Sequence, residues 1–372
     1  MIRCLRKYGL RMVIGAVLLI IAFGSISIFT GYQQYQRELR IATKFWSTSG
    51  SVSFQYIGPK GISKSLQGRF LFWHRICRAA FRSRNNSTEQ LIESLKELPY
   101  LEELSFDSME ITDADLERLR DLTELKSLWL YHTSISDAGL EHLGRLKKLQ
   151  SLHIFGSDIY GSGLTFLGEL TNLEELNLSQ TRVGSDGLQH ISKLAKLRVL
   201  RIDHTRVDDA GMVHVRGLTN LETLDVNRKL TTDTGLESLQ GLSRLVALNL
   251  DNTQVTDIGL SHLKGLTSLT RLSLSNTSVT NAGLEHLQRM TNLTDLNLKR
   301  TQVTGVGLIH LQQMRHLQQL DLEDCRVADD GLDNLKGLTS LKWLDLFRTD
   351  TTPAGHDRLR TELPGCRIEP NP

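Results

Sequence analysis

Apolar residues recur along most of this chain with a period of 24, and the pattern is clean in Leu170–Lys193, LTNLEELNLSQTRVGSDGLQHISK. The unit starts again at Leu194, Leu218, Leu242, Leu266, Met290, Met314 and Leu338, and earlier at Leu98, Leu122 and Leu146, giving eleven copies in register without a gap. A fixed short period specifies a solenoid, in which each unit buries its apolar face against its neighbours. Positions 7 and 9, such as Leu248 and Leu250, are apolar and two apart, which predicts a short strand with both leucines facing inward. Positions 19 and 22, such as Leu260 and Leu263, are three apart, the spacing of one face of a short helix.

The polar positions punctuate these elements. Position 15 carries a helix N-cap in most units: Thr112, Ser136, Asp208, Thr232, Thr256, Thr280, Thr304 and Thr352, the last followed by Pro353 at the first helical position. Aspartate at position 16 (Asp137, Asp209, Asp257, Asp329) is expected to face the positive end of its own helix. Position 18 is glycine in ten of the eleven units, with Asp115 the exception. Glycine inside a helix costs roughly 1 kcal/mol, so this repetition predicts a steric need, close packing against the neighbouring turn.

Position 12 holds Thr133, Thr181, Thr205, Thr253, Thr277, Thr301 and Thr349, with Ser157 and Cys325 as near equivalents and Met109 and Lys229 as breaks. Stacking predicts that these groups bond the buried backbone of the adjacent turn. The column resembles the asparagine or cysteine ladder of leucine-rich repeats, with threonine substituted. The fold class expected is therefore α/β: a leucine-rich-repeat horseshoe with a parallel sheet on its concave side and short helices on its convex side.

The start of the chain differs. Residues 1–97 carry 15 Lys/Arg and 4 Asp/Glu, a net of +11, which leaves the rest at −9. Residues 1–11 are basic, and the apolar run Met12–Thr30 would span about 28 Å as a helix, close to the thickness of a hydrocarbon core. This signal-anchor reading makes a single-pass membrane protein with its N-terminus inside and the repeats extracytoplasmic. A cleaved signal peptide with an h-region at Val13–Phe23 is the competing reading. Residues 31–86 form a juxtamembrane region, with helix continuing over Tyr32–Phe45 and a strand at Ser51–Tyr56. The basic, apolar-interleaved stretch Leu66–Arg84 reads either as a cap over the open repeat core or as a lipid-facing surface. Residues 87–369 are the repeat domain, opened by a helix over Ser87–Glu97 and closed by a cap at 363–369 with a strand at Cys366–Ile368.

A basic N-terminus, one membrane helix, the SVSFQY strand, a Trp-containing basic stretch and TDAGL-type repeats together resemble membrane-anchored bacterial leucine-rich-repeat proteins. The resemblance implies a non-catalytic binding scaffold.

Function is sought on the concave face, at positions 6, 8, 10 and 11. Trp129, Tyr131, His132, His153 and Phe155 form an aromatic group there. Grouped aromatics offer large rigid area at low entropy cost, so Trp129, Tyr131, His153 and Phe155 are the expected protein-binding centre. Arg201, Asp203, Asp225, Asn227, Asn249 and Asp251 follow as an orienting polar block, with His204 and Arg228 in the same columns. Asp321, Glu323, Asp324, Trp343, Asp345, Phe347 and Arg348 lie further along. Packing across neighbouring strands is the other reading of the aromatics.

His142, His190, His214, His262, His286 and His310 repeat at position 21, off the buried stripe, and read as surface rather than a metal site. The four cysteines (Cys4, Cys77, Cys325, Cys366) are scattered without a disulfide framework. No phosphate loop, HExxH, GxSxG or CxxC occurs, so no enzyme, cofactor or metal is expected. The acidic repeats have the wrong sign for nucleic acid. The expected partner is a protein or an envelope polymer. A structural envelope spacer and a cytoplasmic regulatory or ubiquitin-ligase adaptor subunit are the alternatives, although no F-box-like segment precedes the repeats.

Overall fold

The structure, a computed structural model, describes residues 28–46, 50–57, 67, 74–82, 88–227 and 230–369. The membrane helix expected over 12–30 therefore lies outside the described residues except for 28–30, as do Cys4 and Arg228. No helix among the described residues is long and apolar enough to cross a membrane. The chain forms two compact units, residues 1–109 and 110–372.

In the first unit, residues 28–46 are helical, and β1 (Gly50–Tyr56) pairs antiparallel with β2 (His74–Arg82). A helix at Thr88–Leu95 leads to β3 (Glu103–Asp107), which runs parallel to β2. The basic stretch thus folds in part as a strand: Ile76, Cys77, Ala79 and Phe81 are buried, while Arg78 and Arg82 pair with Glu103 and Asp107 at 2.9 Å. Glu38, fully buried on the 28–46 helix, accepts the Ile76 amide at 2.7 Å, and its burial raises its pKa despite that bond.

The second unit repeats strand, turn and helical return. Its strands are β4 (Ser127–Tyr131), β5 (Ser151–Phe155), β6 (Glu175–Asn177), β7 (Val199–Arg201), β8 (Thr223–Asp225) and β9 (Ala247–Asn249). They continue as β10 (Arg271–Ser273), β11 (Asp295–Asn297), β12 (Gln319–Asp321), β13 (Trp343–Asp345) and β14 (Arg367–Glu369). Consecutive strands pair parallel with equivalent positions opposed, as Leu224, Leu248 and Leu272 are. The leucines at positions 7, 9, 19 and 22 are buried as their spacing predicts; Leu176, Leu178, Leu250, Leu260 and Leu263 are all fully enclosed. The final strand sits one residue later than expected, because Arg367 donates its amide to Lys342 at 2.8 Å and so begins the pairing.

Strand length varies with the residue at position 8 but is not set by it alone, since β7 and β10, with Arg201 and Ser273 there, also run three residues. Where it is Trp129 or His153 the strand runs five residues. Where it is Asn or Asp, as at Asn177, Asp225, Asn249, Asn297, Asp321 and Asp345, the side-chain oxygen accepts the amide two residues on at 2.8–3.2 Å. This local Asx bond accompanies three-residue strands such as β6, β8 and β9. Position 11 then turns left-handed: His132, Gln180, His204, Asn252, Asn276, Arg300, Asp324 and Arg348 all have φ of 51–58°. His132, His204, Asp324 and Arg348 therefore stand in the turn at the sheet's edge, not on its face as the column reading expected.

Asp209 and Asp257 stand in the first turn of their own helices as expected, and aspartate at position 16 has a further role. Asp233 accepts the amide of Thr256, in the following turn, at 2.8 Å on one oxygen and the Thr256 hydroxyl at 2.6 Å on the other. Asp113 holds Ser136, Asp209 holds Thr232, Asp257 holds Thr280 and Asp329 holds Thr352 in the same way. Each pair staples one turn to the next, and the Thr352 hydroxyl bond holds the Asp329 carboxyl below the usual carboxylate range.

Where the staple is present it also accounts for the glycine at position 18 of the following turn, whereas Gly187 and Gly331 approach the backbone of Gly161 and Gly305. A Cβ at Gly259 would fall 2.3 Å from Oδ1 of Asp233, one at Gly283 2.4 Å from Asp257, and one at Gly355 2.1 Å from Asp329. In the first repeat Asp115 replaces the glycine and accepts the Thr112 amide and hydroxyl at 3.0 and 2.9 Å. Asp208, Thr232, Thr256, Thr280 and Thr352 also cap their own helices as expected. Ser136 and Thr304 do not: the helix after Ser136 begins only at Leu140, and Thr304 precedes a 3-10 helix with no side-chain cap.

The threonine column needs a further correction. Thr181, Thr205, Thr253, Thr277, Thr301 and Thr349 donate to the carbonyl three residues earlier in their own turn at 2.6–2.7 Å. Cys325 reaches the backbone of the preceding turn, with Sγ 3.0 Å from the Leu298 carbonyl, and the Ser157 and Thr133 hydroxyls meet across consecutive turns at 3.0 Å. In the last turn His356 fills a buried leucine position and meets Thr351 at 2.7 Å; burial lowers its pKa.

Candidate binding surface

The face of the sheet opposite the helices carries positions 6, 8 and 10 of every turn. Two regions of it are distinctive.

The first spans β4 and β5, whose extra length keeps positions 8 and 10 both in the sheet. His153 lies beneath the Trp129 ring, stacked with centroids 5.9 Å apart, while Tyr131 meets His153 and Phe155, each at 6.1 Å. His132 packs edge-on to Phe155 at 5.0 Å. Trp129, Tyr131 and Phe155 are half-buried, but His153 is only 9% exposed. Its Nε2 lies 3.0 Å from the Ser151 hydroxyl, which also donates to Glu175 at 3.2 Å. Burial lowers the His153 pKa, and Arg201 adds to this against the pull of Glu175. The aromatics thus pack across strands and still present ring area outward, so the two sequence readings describe one arrangement. His153 is the enclosed member of the group.

The second region is the polar block. Asp203 accepts the Ser179 hydroxyl and lies 3.2 Å from His204. Asp225 accepts the Asn227 amide at 3.2 Å and the Asn249 side chain at 3.3 Å, and Asp251 takes the Ser273 hydroxyl at 2.5 Å. Arg201 stands between the two regions, close enough to act electrostatically on both His153 and Asp225.

Burial, with Asp203 alongside, raises the Asp225 carboxyl to about 6. A raised carboxyl binds its proton more tightly in the folded chain, so stability increases as pH falls through that value towards the ordinary carboxylate range. Asp225→Asn is expected to raise Tm near neutral pH and to match the native chain at about pH 4. A lowered Tm at neutral pH would show instead that the charged form is held by contacts outweighing its burial.

Beside Asp225 the sheet dips into a groove of about 330 Å³ running over β8 to β13, lined by residues that include Asp225, Ala247, Asn249, Arg271, Asp295, Asp321 and Trp343. The column reading named the residues at its ends and missed its middle. The signal was Ala247, the smallest residue at position 6, beside Ser273 at position 8. Past the groove, one oxygen each of Asp321, Glu323 and Asp345 lie within 4.8 Å of one another. Lys299 supplies a counter-charge there through its ion pair with Glu323, and burial raises the Asp321 pKa.

The histidine column is divided among local contacts: His262 and His310 meet Gln240 and Gln288 of the preceding turns at 2.8 and 2.6 Å. Cys77, Cys325 and Cys366 are buried free thiols.

Residues 267–327 match the family described as Leucine rich repeat, and residues 169–192 match a second Leucine Rich repeat family. No curated protein matches the chain. Among solved structures, an internalin (inlF) from Listeria monocytogenes is similar at a TM-score of 0.59 and 22% identity, over 78% of this chain and 86% of that one. TLR13 in its complex with ssRNA13 is similar at 0.51 and 18%, over 72% of this chain and 40% of that one. An internalin C2 (inlC2) from Listeria monocytogenes gives 0.40 and 25%, over 65% and 84%. The chain thus carries leucine-rich repeats, and the internalin F likeness agrees with a leucine-rich-repeat solenoid fold.

Proposed function

We propose that this chain is a non-catalytic, membrane-anchored scaffold that binds a protein on the open face of its repeat sheet. The observation that carries the reading is the group Trp129, Tyr131 and Phe155, half-buried on that face over the enclosed His153. Large aromatic side chains fixed by their neighbours lose little entropy on docking, which is what an interaction hot spot requires. Arg201, Asp203, Asp225, Asn227, Asn249 and Asp251 flank the group and give a partner its orientation.

The anchor rests on the apolar run at 12–30 and its basic flank, and it places the repeats outside the cytoplasm. The net charge of −9 beyond residue 97 disfavours a nucleic-acid ligand, whatever the complex of TLR13 contains. Crosslinked capture from membranes is the test, comparing the native chain with a Trp129→Ala, Tyr131→Ala, Phe155→Ala variant. A protein partner is expected with the first and not the second. Equal capture by both would move the site, and no partner from either would favour a structural spacer. Protease access to the repeats in intact cells checks the orientation, and protection would instead favour a cytoplasmic regulatory subunit.

A further inference from the structure

We infer that the groove over β8 to β13 seats a basic, extended peptide segment, whose successive lysine or arginine side chains lie against Trp343 at one end and beside Asp321, Asp295 and Asp225 along its length. The inference rests on the open face being a protein-binding surface, and it assigns a second contact region with its own chemistry.

The shape comes first. Ala247 and Ser273 leave a trough floored by the strand backbone along the leucine row and bounded by longer side chains at positions 6 and 8 of the other strands. Five strand steps of about 4.8 Å give a length of about 24 Å, which an extended chain rising about 3.3 Å per residue fills with about seven residues. Trp343 closes one end, half-buried, and an indole face is the best aromatic partner for a cation.

The charge then selects the ligand. On β8–β13, positions 6, 8 and 10 carry Asp225, Asp251, Asp295, Asp321, Glu323 and Asp345 against Arg271 and Lys299 alone. Lys299 is already engaged with Glu323. An acidic trough with an apolar floor focuses its field and draws in cations. A neutral saccharide supplies no counter-charge, and a polyphosphate is repelled.

The acidic positions can be tested without disturbing the turns. Asp225 and Asp321 each accept a backbone amide two residues on, and Asn249 and Asn297 perform that same role in neighbouring turns. Asp→Asn therefore removes charge and keeps the Asx bond.

The experiment measures binding of synthetic peptides to the full chain by fluorescence anisotropy. One peptide alternates lysine with alanine, and its control alternates glutamate with alanine. The lysine peptide is expected to bind, to weaken at high salt, and to lose about tenfold in affinity with the Asp225→Asn, Asp321→Asn double variant. Trp343→Ala is expected to cost about fivefold. The Trp129→Ala, Tyr131→Ala, Phe155→Ala variant is expected to bind it like the native chain, so failure here is distinct from failure of the aromatic site. Equal binding of both peptides, no binding of the lysine peptide, or affinity unchanged by the double variant would overturn the assignment. So would a β-linked N-acetylglucosamine oligomer binding in place of the lysine peptide, or calcium ions displacing it at the same sites.

Discussion

Truncation of Leu248 to alanine is expected to lower the unfolding free energy by about 2–5 kcal/mol, towards the upper end of that range. Leu248 is 2% exposed and lies in register between Leu224 and Leu272 of the adjacent strands. The cost of such a change depends on whether the surroundings can close over the space left behind. Here they cannot, because backbone bonds fix the separation of the turns: Val246 accepts both the Thr270 and the Arg271 amides, at 2.9 and 3.0 Å. A solenoid is held by nearest-neighbour interfaces, so one weakened turn also threatens cooperativity along the stack. Chemical denaturation would register both effects, as a lower midpoint and a shallower transition. A cost below about 0.5 kcal/mol, the range of a surface substitution, would contradict the inward register of position 7.

The second large effect concerns the glycine column. Gly259→Ala is expected to cost about 1–3 kcal/mol, since its Cβ would meet Oδ1 of Asp233 at 2.3 Å. Asp233→Ala is expected to cost a similar amount, since it leaves the Thr256 amide and hydroxyl without their acceptor. The double variant is the informative one. With Asp233 gone the alanine methyl loses its closest clash and keeps only 3.1 Å contacts to Leu236 Cδ1 and Val255 Cγ1, which small side-chain shifts relieve, while helix propensity favours alanine over glycine by about 1 kcal/mol. The pair should therefore be less damaging than the sum of the singles, by a coupling of about 1–3 kcal/mol in a thermal or chemical double-mutant cycle. Strict additivity would mean that the glycine answers to something other than the staple.

Much of this architecture was legible. Leucines at positions 7 and 9, then at 19 and 22, specify strand and helix with their buried sides, and eleven repetitions leave no freedom of register. The staple was missed because threonine at position 15 and aspartate at position 16 each have a sufficient local explanation, as cap and as dipole partner. Their actual partners lie 23 residues apart, in consecutive turns. The sequence does carry the signal. Asp113, Asp209, Asp233, Asp257 and Asp329 are each followed one turn later by Ser or Thr, whereas Gly161 and Gly305 are followed by Gly184 and Ala328. Ser185 and Asp208 exchange the two roles and still bond each other.

The aromatic group was legible for a related reason: in-register stacking turns a column of the repeat into a row of neighbours, so Trp129 above His153 follows from the alignment alone. What it did not reveal was that His153 is the enclosed member. The groove was harder to foresee, because a depression is made by the small residues Ala247 and Ser273, and a search for large side chains passes over them.

The claim that the open face meets the partner is tested most directly by giving the crosslinked capture an address. A photoreactive phenylalanine analogue replaces Phe155 on the open face in one chain, and Val306, which is 75% exposed in the Gly305–Leu311 helix, in another. The account predicts a discrete protein adduct from position 155 and none from position 306. An adduct formed at 306 and absent at 155 would contradict it.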